Sequence, residues 1–241
     1  MISIVKLSSK RGTQKILQEI ALNVENGEIL AILGPSGAGK TSLLRLIAGL
    51  DMPTQGEIRI EGQIVKPLAK LTTRTSHNIS MIFQDLALWP HMTVFKNVEF
   101  VVNEKRLRNR VEVREKVERL LSMMSLSEYR NRYPDELSGG EKQRLAIARA
   151  LVSEPKCLLM DEPFSNLDDL LKRELLDITL SLKKKSAMTI LYVTHNIDEA
   201  FFLADRIAVI NRGRIVKIWG KEEIKGLSKQ EIHNSCFGEP A

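Results

Sequence analysis

Cysteine is nearly absent from the sequence, with Cys157 and Cys236 the only two in 241 residues. Two thiols make no disulfide framework and no cysteine-rich metal cluster, and Cys157, beside the apolar Leu158-Leu159-Met160, reads as core. Long apolar runs are missing too. Stretches such as 29–33 and 158–160 fall far short of the roughly 20 residues that a membrane-spanning helix requires. The first residues, Met1-Ile2-Ser3-Ile4-Val5-Lys6, lack a basic segment followed by an apolar stretch and a small-residue cleavage site. No signal peptide is therefore expected, and the chain is expected to stay inside the cell. Nor is there an internal repeat, a low-complexity tract or a proline-rich linker.

What is present fits a folded protein. Hydrophobic residues make up 43% and charged residues 27%, near the averages for globular chains, so a sizeable core is expected and disorder is not. The length accommodates one α/β domain with an inserted subdomain. The net charge of +6 and pI near 9.3 would suit a nucleic acid, an anionic membrane leaflet or a nucleotide, and scattered solvated lysines and arginines would give the same balance.

Along the chain, residues 1–30 predict β structure. Ile2 and Ile4 alternate with polar neighbours, 21–24 repeats that period, and Asn26-Gly27 signals a turn, so an antiparallel pair is expected. A buried strand over 28–33, a glycine-rich turn and a helix over 41–50 ending at Gly49 follow. After a strand at 79–83, the region 85–153 is rich in helix formers, with an amphipathic helix predicted over 104–124 on Leu107, Val111, Val117, Leu120 and Leu121. Strands at 157–160, 189–193 and 206–210 then alternate with helices at 168–185 and 197–204, which predicts a parallel sheet.

The strongest local signal is Gly34-Pro35-Ser36-Gly37-Ala38-Gly39-Lys40-Thr41, followed by Ser42. It fits G-x-x-x-x-G-K-[ST] between a predicted strand and a predicted helix, the context of a P-loop. Glycines let backbone amides turn toward an anion, the helix N-terminus adds partial positive charge, and Lys40 adds a full one. The ligand predicted is a nucleoside triphosphate, with the Thr41 hydroxyl on Mg²⁺. Kinases, GTPases, helicases and transporter ATPases all share this loop, so it does not choose among them. The strand at 157–160 delivers Asp161 and Glu162 at its C-terminal end, where ligands approach parallel sheets. Asp161 is expected to hold Mg²⁺ and Glu162 to polarise an attacking water.

Leu137-Ser138-Gly139-Gly140-Glu141-Lys142-Gln143-Arg144 resembles the signature motif of the ABC ATPase family. Ser138 and the bare Gly139-Gly140 backbone could meet a γ-phosphate at a helix N-terminus, with Glu141 opening that helix. Family resemblance implies an α/β P-loop fold with a RecA-like parallel-sheet core, an N-terminal antiparallel β subdomain and an inserted helical subdomain. The expected division is 1–85 and 155–225 for the core and β subdomain, 86–154 for the helical part, and a short tail at 226–241. It also implies that the signature of one copy faces the P-loop of a second, so that two ATP molecules are held in a head-to-tail dimer.

By the same resemblance Gln84 is the Q-loop glutamine, touching Mg²⁺ and the lytic water. Asp168, in Ser165-Asn166-Leu167-Asp168, links the two nucleotide sites, and His195 is the switch histidine that keeps water and Glu162 aligned. One departure stands out: Arg11 occupies the place of the aromatic residue that usually stacks on adenine. A planar guanidinium can stack as well, and Ile16 can add an apolar contact. Asn196 follows His195 where aspartate is frequent. The run Asp85-Leu86-Ala87-Leu88-Trp89-Pro90-His91-Met92-Thr93-Val94 resembles importer ATPases of the maltose, polyamine and iron type. A transmembrane permease and a second ATPase subunit are the expected partners, nucleic acid is not, and the expected location is the inner face of the cell membrane. Those importers often carry a C-terminal regulatory domain, and none is expected after residue 241. Two other readings stay open, a non-transport ABC ATPase acting on ribosomes or DNA and a small-molecule P-loop kinase.

Overall fold

The computed structural model of the chain describes residues 1–65, 78–102, 109–165 and 167–237. The chain opens on β1 (Ile2–Arg11) and β2 (Gln14–Val24), an antiparallel hairpin in register from Ile2 opposite Val24 to Arg11 opposite Gln14. Alternation explains it, because Ile2, Ile4 and Leu7 of one strand and Leu17, Ile20, Leu22 and Val24 of the other all turn inward. β3 (Ile29–Leu33) is buried at every position and runs into α1 (Lys40–Ile47). The predicted helix end is met closely, with Gly49 closing the turn beyond it at φ 72°.

β4 (Gln55–Ile60) and β5 (Gln63–Ile64) return to the first hairpin and complete a four-stranded antiparallel sheet in the order β2-β1-β4-β5. Next come β6 (Ile79–Ile82) and the α-helices α2 (Val94–Glu99), α3 (Arg110–Met123) and α4 (Gly139–Leu151). The helix expected over 104–124 is described from Arg110, behind an Asn109 cap that accepts from the Val111 amide at 3.0 Å. Leu107 lies outside the described residues.

The chain then alternates through β7 (Cys157–Asp161), α5 (Asp169–Ser186), β8 (Thr189–Val193), α6 (Ile197–Leu203) and β9 (Arg206–Asn211). β10 (Arg214–Trp219) turns back on β9, and α7 (Lys221–Gly226) and α8 (Lys229–Phe237) end the described chain. The second sheet has the order β10-β9-β3-β8-β7-β6, parallel except for the β9–β10 pair. β3, β7 and β8 are buried along their whole length, as strands covered on both faces must be, and each fully buried leucine or isoleucine there contributes about 1.5–3 kcal/mol.

One apolar cluster joins this sheet to α2–α5, a second fills the space between the two sheets around α1, and a third lies under α6, α7 and α8. Ile232 and Cys236 of α8 belong to the third, so much of the expected tail packs as a helix on the sheet. Because β3, β8 and β7 are neighbours and parallel, the segments after Leu33, Val193 and Asp161 leave the sheet at one edge.

Candidate functional site

At that edge the loop after β3 wraps tightly. Gly39 takes a left-handed φ of 106°, and a Cβ there would stand 2.7 Å from Leu17 Cδ2 and 3.1 Å from the Ile16 carbonyl oxygen. β2 therefore presses on the start of α1, which puts Ile16 beside the loop. Ala38 is tied to both sides: its amide donates to Pro35 O at 3.2 Å and its carbonyl accepts from Gly213 N at 3.1 Å. Ser36 and Gly37 are exposed at the tip. Lys40 is 5% exposed. Its Nζ donates to Gly34 O at 2.9 Å and Pro35 O at 3.0 Å and lies 3.6 Å from Glu162 Oε1. A buried ammonium at the start of a helix, behind a glycine-rich turn, is the arrangement that can attract an anion.

Next to it, Thr41 Oγ1 donates to Asp161 Oδ1 at 3.0 Å. Burial pushes the Asp161 carboxyl above its usual range; the Thr41 hydroxyl offsets this in part, and the adjacent Glu162 charge adds to it. A buried carboxylate and a neutral hydroxyl supply the oxygen ligands that Mg²⁺ takes, so the donor set fits that ion.

This carboxyl carries a stability prediction. Its folded pKa lies above the unfolded one, so its contribution is favourable at low pH and is lost as pH rises through the folded value. Near neutrality the ionised group weakens the nucleotide-free fold. Asp161→Asn is expected to raise the melting temperature at pH 7, by about 2–4 °C per kcal/mol of relief. The gain should shrink as pH falls toward the ordinary carboxylate range. Thermal denaturation of both proteins across pH checks this, and a lower melting temperature for the variant at pH 7 would contradict it.

Glu162 sits one residue past β7 with a left-handed φ of 44°, a strained conformation that the surroundings must enforce. Its amide donates to Val193 O at 2.9 Å, which pins it to the end of β8. His195, leaving that same strand, places Nδ1 2.8 Å from Glu162 Oε2. Lys40, Thr41, Asp161, Glu162 and His195 thus form one connected cluster.

The remaining candidates stand outside it. Gln84 is exposed two residues beyond Ile82 of β6, whose partner Met160 lies two residues before Glu162. The following turn is locked to α4: Arg149 donates to the carbonyls of Leu86 and Ala87, each at 2.6 Å, and stacks 4.7 Å over Trp89. Ser138 caps α4, accepting from the Glu141 amide at 3.3 Å, while Glu141 Oε2 accepts from Ser138 N at 2.7 Å. Asp168 caps α5 by accepting from Leu171 N at 3.0 Å. Among the described residues no hydrogen bond or ion pair joins Ser138, Gly139, Gly140, Glu141 or Asp168 to the P-loop. The starts of α4 and α5 lie close together instead: a Cβ on Gly140 would fall 2.2 Å from Leu171 Cδ2, so a larger residue at 140 would require the Leu171 side chain to turn away. Asn166 lies outside the described residues. Arg11 is exposed at the end of β1, where it joins Arg45, the stronger influence, in holding Asp51 below the usual carboxylate range.

Two contributors were missed in the sequence. Gln143 donates to the Pro163 carbonyl and so ties α4 to the segment after Glu162. Glu199, in the first turn of α6, is buried against Tyr192, Thr194 and Lys172. An acid in a first helical turn ordinarily reads as a solvated partner of the helix dipole, so the sequence carries no signal for its burial.

The sequence model of the ABC transporter family matches residues 17–165. A spermidine/putrescine import ATP-binding protein, PotA, of Legionella pneumophila is 43% identical over 218 residues, covering 90% of this chain and 58% of that protein. The sulfate/thiosulfate import ATP-binding protein CysA of Photorhabdus laumondii is 43% identical over 227 residues, covering 92% and 61%. The chain thus spans about three-fifths of the length of these relatives. Among solved structures, a dimeric post-hydrolysis state of the ATP-binding cassette MJ0796 bound to ADP and Pi superposes with TM-score 0.80 at 30% identity, covering 92% of this chain and 99% of that one. A motif order, a site geometry and a fold that all agree with a family match across more than half of its residues leave one conclusion: the chain belongs to the ABC transporter family.

Proposed function

We propose that this chain is the ATP-hydrolysing subunit of a membrane importer and that it works as a head-to-tail dimer with a second ATPase subunit. The observation that carries the reading is Glu162 held between Lys40 Nζ at 3.6 Å and His195 Nδ1 at 2.8 Å, beside the Thr41–Asp161 pair. ATP is the substrate. Backbone N–H groups of the loop from Gly34 to Lys40, all but that of Pro35, with Ser42 at the start of α1, cradle its phosphates, and the Lys40 ammonium turns from the loop carbonyls to the β- and γ-oxygens. Thr41, Asp161 and Gln84 would hold Mg²⁺, which when bound supplies positive charge at the phosphate oxygens. Arg11 and Ile16 flank the base.

Glu162 accepts a proton from the attacking water, and His195 keeps that carboxylate oriented. Ser138, Gly139, Gly140 and Glu141 of a second copy complete the γ-phosphate site, and Asp168 links the two sites. The packing of Leu171 against Gly140 supports a shared response of these two segments. Loss of the γ-phosphate removes the bridge between copies, so hydrolysis shifts the population toward an open dimer.

The 86–154 segment acts as the lever, distinct from the core at 1–85 and 155–225. Arg149, bonded to the turn after Gln84, supports that role. Trp89 and the 66% exposed Phe100, edge to face at 5.0 Å, offer a permease an aromatic surface. Among the described residues no helix is long and apolar enough to cross a membrane. In this reading the permease supplies the membrane-spanning part and the chain docks on it at the cytoplasmic face.

Isolation of Glu162→Gln protein with ATP from detergent-solubilised membranes of its source cell, followed by mass spectrometry, tests the assignment. A co-purifying multi-spanning chain is the expected result. Ribosomal or DNA-associated proteins without any membrane chain would overturn it.

A further inference from the structure

A carboxylate in the first turn of a helix normally faces water, yet Glu199 is 4% exposed. Its Oε2 accepts from Tyr192 Oη and from Thr194 Oγ1, each at 2.7 Å. Its Oε1 faces Lys172 Nζ at 3.4 Å. Two hydroxyl donors on one oxygen and a cation on the other suit a group that only accepts, which is what a carboxylate is.

The three partners lead to three parts of the site. Thr194 Oγ1 also accepts from Asn196 N at 3.0 Å, and Asn196 Oδ1 accepts from Asp198 N at 2.8 Å and Glu199 N at 3.3 Å. Both neighbours of His195 are thereby fixed, while His195 itself is 55% exposed and reaches Glu162. Tyr192, fully buried, lies 6.0 Å from the ring of Phe164, two residues after Glu162. Lys172 is in the first turn of α5, where its amide donates to the carbonyl of Asp168 at 3.0 Å.

We propose that Glu199 is a positioning residue for His195, a buried carboxylate that fixes the 194–196 turn against α5 and so holds the imidazole on Glu162. This rests on the ATPase reading above. Without the Glu199 charge, an amide must offer its NH₂ either to Lys172 or to the two hydroxyls, and one side of the clamp opens. The imidazole loses its fixed bearing, while the P-loop, on a different strand, keeps its grip on nucleotide.

The test compares wild type, Glu199→Gln and Thr194→Val, the last removing the hydroxyl link while leaving the Lys172 pair. In both variants kcat for ATP hydrolysis is expected to fall about 10- to 100-fold, with KM for ATP changed by less than about threefold. The ring resonances of His195, identified by their loss in His195→Ala, are expected to shift in both. Unchanged His195 resonances with kcat within about twofold of wild type would overturn the proposal. A fall in kcat that comes with weaker ATP binding and unmoved resonances would overturn it too, as that is what loosened structure alone would produce. Should Glu199→Gln fail to fold, Thr194→Val carries the same readings. An inactive wild-type protein would count against the ATPase reading, while the resonances would still decide the positioning claim.

Discussion

Replacing Glu162 with glutamine is expected to lower ATP turnover about 100- to 10,000-fold, the range of a lost general base, while nucleotide binding survives. The geometry separates the two effects. Glutamine keeps the shape of Glu162 and can still meet His195, which lies 2.8 Å from Oε2, but it cannot accept a proton from water. On the proposed reading binding rests on the loop after β3 and on Lys40, and a neutral side chain at 162 would remove one negative charge from the side that the γ-phosphate occupies. The variant should therefore hold ATP at least as well as wild type. Phosphate release under saturating ATP measures the first effect and nucleotide titration the second. Turnover near the wild-type rate would remove Glu162 as the catalytic carboxylate.

Lys40→Ala should fail in the opposite way. The side chain is 5% exposed and already spans Gly34 O, Pro35 O and Glu162 Oε1, so on the proposed reading it is the cation nearest the bound phosphates. Each charge-assisted hydrogen bond to a phosphate oxygen contributes about 1.5–3 kcal/mol, and losing two weakens binding by about 100-fold or more. Alanine also leaves Asp161 and Glu162 without their nearest cation, and their combined charge then repels the triphosphate. Titration with a fluorescent ATP analogue reads this loss. Affinity within about twofold of wild type would show that Lys40 does not carry the phosphate contact.

Much of this architecture was legible in the residues. The continuous apolar runs of β3, β7 and β8 announce strands buried on both faces, and alternation in β1 and β2 announces a sheet with one covered face. The P-loop, the two acids at the end of β7 and the histidine after β8 could be expected near each other, because parallel neighbours send their C-terminal ends the same way. Other elements were harder to read. β10 is an edge strand whose exposed Val216 and half-buried Ile215 and Ile218 blur the alternation, and α8 gains its burial by docking on β9 and α6. Glu199 was invisible for a related reason: its burial is decided by Lys172 and Tyr192, which approach from α5 and β8. The bonds from Arg149 to the turn after Gln84 likewise join residues 62 and 63 positions apart, a distance no local pattern spans.

Light scattering on Glu162→Gln, with and without ATP, tests the shared nucleotide site most directly. The account predicts a mass near 27.3 kDa without nucleotide and twice that with ATP. It also predicts that adding Ser138→Arg, whose bulk would block the cap of α4 from a second copy's phosphate, abolishes the doubling while each chain still binds nucleotide. A Glu162→Gln protein that binds ATP and stays single, or that doubles equally well with Ser138→Arg, would contradict it.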